Sequence, residues 1–292
     1  MSIMSIPKEI LLEVTNRCNC SCEFCAHAVM KKEYGELDFA LSERIMREAY
    51  IMGVRRVGFY TVGEMFLCKN IQSHIAAAKG IGYEYIYSDT NGILATAPNM
   101  EKVIKAGLNS IKFSINAGTR ETYKLVHGCD AFEEVIENLK ATAKLKNELF
   151  PELKILVSYV VTKNNENEIG RLREIVKPYI TDEIYVHPII PGYLRRYGID
   201  CEKLKSEDVP FANISAPCSM VFDRIHVTYD GFLTACCQDF NRDLLLADLN
   251  KVSLSEGWKN EKAEALRQAH RQKNLKNWLC AGCVDRGGSY DS

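Results

Sequence analysis

Three cysteines near the amino terminus have a spacing that suits metal chemistry. Cys18, Cys22 and Cys25, the N-terminal triad, form a C-x3-C-x2-C run directly after residues 10–14, which have the composition of a buried strand. A short loop with three thiolates can wrap one corner of a [4Fe–4S] cluster. Such a cluster normally takes four cysteines, so three would leave one iron open. In metal sites, an open position is where a substrate or cofactor binds.

Zinc is the alternative ligand of this loop, because it also accepts three or four thiolates. Zinc ligands more often come as two CxxC-type pairs, and here no fourth partner is nearby in the sequence. Cys20 falls inside the run. We interpret it as a small apolar loop residue, since alternate residues of the run would point away from the cluster.

Composition narrows the class of protein. The chain has 292 residues, of which 47% are hydrophobic, enough for one large α/β domain and a small appendage. A net charge of -1 argues against a general nucleic-acid or membrane-surface binder. The amino terminus lacks the apolar core of a signal peptide, and no apolar run approaches membrane-spanning length. Twelve clustered cysteines in a chain without secretory features indicate metal sites in a cytoplasmic protein.

Strand and helix patterns alternate over the first 190 residues or so. Strands are predicted at residues 10–14, 57–61, 83–87, 110–115, 155–161 and 183–187, and helices at residues 39–52, 71–79, 100–106, 132–149 and 166–176. Alternation of this kind favours a parallel sheet. Six βα units are too few for a closed eight-stranded barrel, so the fold class is α/β, with a partial (β/α)6 TIM-like barrel that is open on one side.

A second cysteine-rich unit follows a bridge at residues 192–217, so that the predicted regions are 1–191, 192–217 and 218–292. Residues 224–228 and 232–236 alternate around an Asp-Gly turn and predict a β-hairpin. A helix is predicted at residues 254–271, with a capping box from Ser253 to Glu256. Four of the five cysteines in this unit are the candidate ligands and are called here the auxiliary cysteines: Cys218, Cys236, Cys280 and Cys283. Four thiolates suit a structural zinc ribbon as well as an iron–sulfur cluster.

Both cysteine patterns resemble known modules. The N-terminal triad, with Phe24 just before its third cysteine, resembles the radical S-adenosylmethionine (SAM) superfamily. The Gly231-x4-Cys236 pattern and the closing CxxC resemble the SPASM/Twitch domains of such enzymes. The resemblance implies one [4Fe–4S] cluster whose open iron chelates SAM for cleavage to a 5′-deoxyadenosyl radical. It also implies a fully ligated auxiliary [4Fe–4S] cluster, and a reductant such as flavodoxin or ferredoxin.

The resemblance also implies which residues hold SAM. Gly63 would let the backbone approach the methionine amino group, and the Glu64 carboxylate would accept a hydrogen bond from it. Glu64 could alternatively be a helix N-cap neighbour. The remaining contacts are predicted for the SAM carboxylate or ribose and for adenine: Ser114 and Asn116, then Phe24, Val161 and His187. For Asn116, a turn-forming role before Gly118 is nearly as good an explanation, and we interpret the turn at residues 90–92 as structural.

The implied activity is hydrogen-atom abstraction from a small polar substrate, a carbohydrate such as a sugar or cyclitol, giving dehydrogenation or epimerisation. Epimerisation needs a thiol that returns hydrogen, for which Cys237 is the candidate. The alternatives are a ribosomal peptide maturase, which crosslinks or epimerises, and a non-catalytic, zinc-stabilised binding module. One further set of polar residues has two explanations. Tyr193, Arg195, Arg196 and His226 would bind hydroxyls or phosphate, or lie on a solvated bridge and hairpin surface. Cys68, Cys129 and Cys201 have no evident partner and are expected to be core filler.

Overall fold

Six parallel strands form the amino-terminal part of the sheet. The structure is a computed structural model that describes residues 6–284. The strands of this part are β1 (Glu9–Leu12), β2 (Arg56–Gly58), β3 (Tyr85–Thr90), β4 (Ser110–Ser114), β5 (Lys154–Val160) and β6 (Tyr185–His187). Each pairs in parallel with the next, so their carboxyl ends meet at one edge. The predicted open (β/α)6 barrel is confirmed.

The carboxyl-terminal strands continue the same sheet. They are β7 (Arg224–Val227), β8 (Phe232–Thr234) and β9 (Leu245–Asp248). The predicted hairpin is confirmed, because β7 and β8 pair antiparallel around the Asp-Gly turn. β7 also pairs in parallel with β1, and the strand order is therefore β6-β5-β4-β3-β2-β1-β7-β8-β9. The sheet thus runs across the predicted boundaries at residues 191 and 217, which stay a prediction.

Ten α-helices are found among the described residues, at bounds that differ in part from the expected ones. They are α1 (Phe39–Ile51), α2 (Ile71–Ile81), α3 (Ala97–Lys105), α4 (Arg120–His127), α5 (Phe132–Leu149), α6 (Ile169–Val176), α7 (Pro191–Arg196), α8 (Ser219–Asp223), α9 (Leu254–Lys259) and α10 (Glu261–Arg271). The prediction of one helix at residues 254–271 was wrong. Asn260 has an extended backbone and its side chain accepts from the amide of Ala263, so it ends α9 and caps α10. The Ser253–Glu256 capping box is confirmed.

The core has a larger and a smaller part. The larger cluster fills the space between the sheet and its helices. A smaller cluster lies beyond the carboxyl ends of the strands and includes Ala26, Val62, Ile189, Tyr193 and Phe240. It packs α7 and the start of the bridge over the mouth of the barrel. Within residues 6–284, no helix has both the length and the apolar character needed to cross a membrane.

Candidate active site

The N-terminal triad lies on one loop at the carboxyl end of β1. All three side chains are half-buried. The amide of Cys25 donates to the carbonyl of Cys22, 3.0 Å away, which curls the loop before the 3-10 helix Ala26–Val29. The Cys22 thiol lies 3.4 Å from Nδ1 of His127. The side-chain amide nitrogen of Asn91 lies 3.9 Å from the Cys18 thiol.

Cys20 does not point away from the other thiols, as the sequence predicted. Hydrogen bonding from its thiol is the main cause that lowers the pKa of both Cys18 and Cys22. Its Sγ also lies 3.2 Å from that of Cys129, which therefore has a partner and is not simple core filler. The prediction assumed that these residues are extended. Instead the loop bends, and the backbone amide of Ser21 donates to the carbonyl of His127 at 3.0 Å.

Gly63 allows two loops to meet backbone to backbone. A Cβ at this position would lie 2.3 Å from the carbonyl oxygen of Thr15 and 2.6 Å from that of Arg17. The amide of the next residue, Glu64, donates to the carbonyl of Arg17 at 2.7 Å. Only glycine fits such an approach, so the Gly63 loop is held against the loop of the N-terminal triad.

Glu64 is a buried carboxyl group at the carboxyl end of β2. Its oxygens accept from the Thr90 hydroxyl at 2.8 Å, the backbone amide of Asn91 at 2.7 Å and the backbone amide of Phe66 at 3.2 Å. The turn at residues 90–92 therefore positions this carboxylate. Burial raises the pKa of Glu64 to about 7, although these hydrogen bonds oppose the shift. Each carboxylate oxygen has more than one acceptor site, so Glu64 can still bind a cation such as an ammonium group.

Ser114 and Asn116 share a face at the end of β4. The Asn116 amide nitrogen lies 3.0 Å from the Ser114 hydroxyl and 3.2 Å from Nε2 of His127. Its amide oxygen accepts from the backbone of Val160 at 2.6 Å, and its own φ is +51°. These contacts show that Asn116 shapes the backbone here, as the turn-forming alternative expects.

A cavity of about 460 Å³ opens beside the N-terminal triad at the carboxyl ends of the strands. Its lining includes two predicted SAM-binding residues, Phe24 and His187, together with the cluster-loop residue Cys25. Val160 lines it, whereas the neighbouring Val161 belongs to the larger core cluster and donates to the carbonyl of His187 at 2.9 Å. Partial desolvation in the cavity wall and then the charge of Lys112 lower the pKa of His187, which favours its neutral imidazole.

The auxiliary cysteines come together around a second cavity, of about 70 Å³. Cys218 lies at the start of α8, and Cys236 lies just after the second strand of the hairpin. Cys280 and Cys283 lie at the two ends of the 3-10 turn Leu279–Gly282. Cys237 lines this cavity and also the larger one. Hydrogen bonding to Cys236 and the charge of Arg224 lower the pKa of the Cys237 thiol.

The other polar residues singled out from the sequence have different environments. Tyr193 is buried and its hydroxyl accepts from the amide of Ala26 at 2.8 Å. Arg195 forms an ion pair with Glu202 at 2.7 Å. His226 is 1% exposed, so its placement on a hairpin surface was wrong; burial lowers its pKa to about 3. Cys68 and Cys201 are buried, as expected of core residues.

Sequence reasoning missed two parts of the site. His127 lies on α4, which was not predicted because its pattern has few apolar positions, and its contact with Cys22 carries no sequence signal. The remaining wall of the larger cavity also went unrecognised: Tyr60, Thr61, Pro188, Ile189, Ile190, Leu194, Ala212, Ile214, Gln238 and Phe240. A strand-end position marks Tyr60 and Thr61 as candidates, but the bridge residues have no comparable signal.

The donor groups fit iron–sulfur clusters. Within residues 6–284, no three His, Cys, Asp or Glu side chains are arranged to hold a single metal ion. A zinc ribbon would need its four thiolates to converge on one ion, whereas the thiolates around a cluster bind different irons. Three thiols on one loop, a glycine cradle beside them, and four further thiols around one small cavity match the second arrangement.

The chain belongs to the radical SAM superfamily, since the profile of that family matches residues 12–176. The SPASM profile, described as an iron–sulfur cluster-binding domain, matches residues 218–284. The protein is therefore a radical SAM enzyme with a carboxyl-terminal SPASM/Twitch domain. Its cofactors are SAM, a SAM-binding [4Fe–4S] cluster and an auxiliary iron–sulfur cluster.

Among similar sequences is the probable GTP 3′,8-cyclase of Saccharolobus solfataricus, 26% identical over 92% of this chain and 96% of that protein. The protein of the same name from Metallosphaera sedula is 28% identical over 85% of this chain and 78% of that protein. Similar structures include BtrN in complex with AdoMet and 2-DOIA (TM-score 0.66, 20% identity, 97% of this chain and 94% of that chain). Streptococcus suis SuiB bound to its precursor peptide SuiA has a TM-score of 0.73 at 17% identity, over 98% of this chain and 72% of that chain. These structural likenesses show a shared fold.

Proposed function

We propose that this enzyme dehydrogenates a small, polar, sugar- or cyclitol-like substrate at a carbinol carbon. The observation that carries the proposal is the continuity between the two cysteine sites. The cavity of about 460 Å³ is lined by Cys25 and by Cys237, and Cys237 also lines the cavity of the auxiliary cysteines. A substrate in the larger cavity would lie between the source of the radical and an acceptor for the second electron.

In this proposal the N-terminal triad holds the SAM-binding cluster and the auxiliary cysteines hold the other. When bound, the first cluster and SAM supply the 5′-deoxyadenosyl radical that removes the hydrogen atom. Glu64 binds the methionine ammonium as a carboxylate that Thr90 and Asn91 keep in place. Gly63 keeps that carboxylate close to the cluster loop. Phe24 and His187 line the cavity and would contact the adenine.

The chemistry of the cavity wall favours an uncharged substrate. Apolar side chains make up most of the lining, and a few polar groups stand among them: Tyr60, Thr61, His187 and Gln238. This is the usual character of a small-molecule site. Among the described residues that line it there is no Lys or Arg, the side chains that bind phosphate groups in proteins. Sugar hydroxyls suit this wall better than the triphosphate of GTP.

Dehydrogenation also needs a base and an electron acceptor. Removal of a hydrogen atom from the carbinol carbon leaves a radical, which becomes a carbonyl when the hydroxyl proton and one electron leave. The neutral imidazole of His187 lies in the cavity wall and can accept the proton. The auxiliary cysteines would hold the cluster that can accept the electron. In total, the substrate loses one hydrogen atom, one proton and one electron.

The test is an anaerobic assay with SAM, a reductant and a panel of cyclitols and sugars, each deuterated at one carbinol carbon. The expected result is one deuterium in 5′-deoxyadenosine and a ketone product two hydrogens lighter than the substrate. GTP is assayed in parallel, because the curated relatives carry the name of GTP cyclases. Consumption of GTP without deuterium transfer from any panel member would refute the proposal.

Epimerisation is the second candidate, and the position of Cys237 favours it. A thiol in the cavity wall can return a hydrogen atom to the substrate radical. An epimerase would incorporate deuterium from D₂O into its product, and C237A would cleave SAM without forming that product. A dehydrogenase would show neither effect. The matched control is C68A, since Cys68 is buried in the core away from both cavities.

A further inference from the structure

The short helix α7 is pressed against the turn that carries two auxiliary cysteines. A Cβ at Gly192 would lie 1.6 Å from the carbonyl oxygen of Gly282, so the two backbones are in direct contact. α7 also contributes to the walls of both cavities. Tyr193 and Leu194 line the larger one, and Arg196, at the end of the helix, lines the smaller one.

Arg196 places a guanidinium group beside the auxiliary cysteines. Its Nη2 lies 3.6 Å from the thiol of Cys283 and 3.4 Å from the carbonyl oxygen of Leu279. Its Nη1 is buried and has no hydrogen-bond partner within residues 6–284. No carboxylate in that part of the chain forms an ion pair with it. A half-buried guanidinium with a buried, unpartnered nitrogen is stabilised by a negative group nearby, and the thiolates of a bound cluster would provide one.

We infer that Arg196 tunes the auxiliary cluster by making it easier to reduce. Reduction adds a negative charge, and a positive charge held within a few ångströms in a poorly solvated site stabilises the reduced state. Hydrogen bonds to the sulfurs and the net charge nearby are known determinants of cluster potentials. The inference depends on the proposed function for the ligands of this cluster. It adds that one helix, α7, supplies side chains both to the wall of the substrate cavity and to the site of the electron acceptor.

Arg195 supplies a matched control on the same helix. Its Nη2 donates to Glu202 at 2.7 Å, and it does not line the cavity of the auxiliary cysteines. The substitutions R195Q and R196Q remove the same charge from adjacent positions. A difference between the two variants therefore reports the local contact with Cys283 and not the net charge of the protein.

The experiment is a redox titration of the auxiliary cluster followed by electron paramagnetic resonance. The background is the chain with all three cysteines of the N-terminal triad changed to alanine, so that one cluster is observed without SAM or substrate. R196Q is expected to make the equilibrium constant for reduction at least tenfold smaller, a shift of 59 mV to more negative potential for one electron. R195Q is expected to leave the midpoint unchanged.

R196K keeps the charge but loses the planar fork, so a smaller shift in the same direction is expected. If R196Q fails to load iron, the midpoint of R196K provides the test. Equal midpoints in the parent, R196Q and R195Q would overturn the inference, as would equal shifts in both glutamine variants or a shift of 59 mV or more in R196K, which keeps the charge. A parent without any cluster signal would refute the ligand assignment itself. A failed substrate assay would leave these midpoints unaffected, so the two proposals fail separately.

Discussion

Replacing Gly63 with alanine tests whether close packing of two loops shapes the SAM-binding end of the barrel. The added Cβ would lie 2.3 Å and 2.6 Å from two backbone oxygens, on Thr15 and Arg17. Neither atom is the end of a flexible side chain, so one loop must move. Such overpacking costs about 1–3 kcal/mol. The movement would also break the 2.7 Å hydrogen bond from the Glu64 amide, worth about 1 kcal/mol more. We expect G63A to lower the free energy of unfolding by about 2–4 kcal/mol.

The measurement is denaturant unfolding of the cluster-free protein, together with iron analysis after anaerobic reconstitution. G63A should also lose the N-terminal cluster, which is about four of eight irons, and keep the auxiliary one. The matched control is G80A in α2, where an added Cβ meets no atom within 4 Å. Because alanine is the better helix former, G80A should stabilise the protein by up to about 1 kcal/mol. Equal unfolding midpoints for G63A and the wild type would refute the reasoning.

Three further predictions concern ligands, pH and stability. Changing any cysteine of the N-terminal triad to alanine should remove about four of eight irons, whereas C20S should keep them; equal iron loss in C20S would make Cys20 a ligand instead. Because the pKa of Glu64 is raised to about 7, protons compete with the SAM ammonium below that pH. SAM affinity measured by calorimetry should fall up to about tenfold per pH unit below 7, and E64Q should bind weakly with no such slope. Arg267 is buried, stacks 4.0 Å from the Trp258 ring and donates to its carbonyl at 2.8 Å. R267A should cost about 3 kcal/mol in denaturant unfolding, against about 0.5 kcal/mol for R271A at the surface; similar losses would contradict this account.

Features that depend on neighbouring residues could be predicted from the sequence. The cysteine spacing, the strand-end Glu64 and the Asp-Gly hairpin each lie within a short stretch of chain. The paired α9 and α10 were missed although Asn260 is a recognisable cap, because the helical pattern continues through it. Contacts between distant segments gave no such signal. The approach of Cys20 to Cys129 depends on a loop meeting the end of an unpredicted helix.

The candidate site shows the same difference between features set by neighbouring residues and features set by contacts between distant segments. Glu64 was identified by its place in a motif, but its partners Thr90 and Asn91 were assigned to a turn alone. Arg196 was identified as polar and basic, yet nothing in its sequence neighbourhood indicated a contact with Cys283, 87 residues away. Side chains that act through tertiary packing need the folded backbone before their role can be stated.

The position of β1 has a consequence for biosynthesis. The strand β7, which pairs with β1, is synthesised more than 200 residues after it. Until then one side of β1 has no strand to pair with, and unpaired strand edges invite contact with other chains. Nascent molecules therefore need protection along this edge until β7 has emerged.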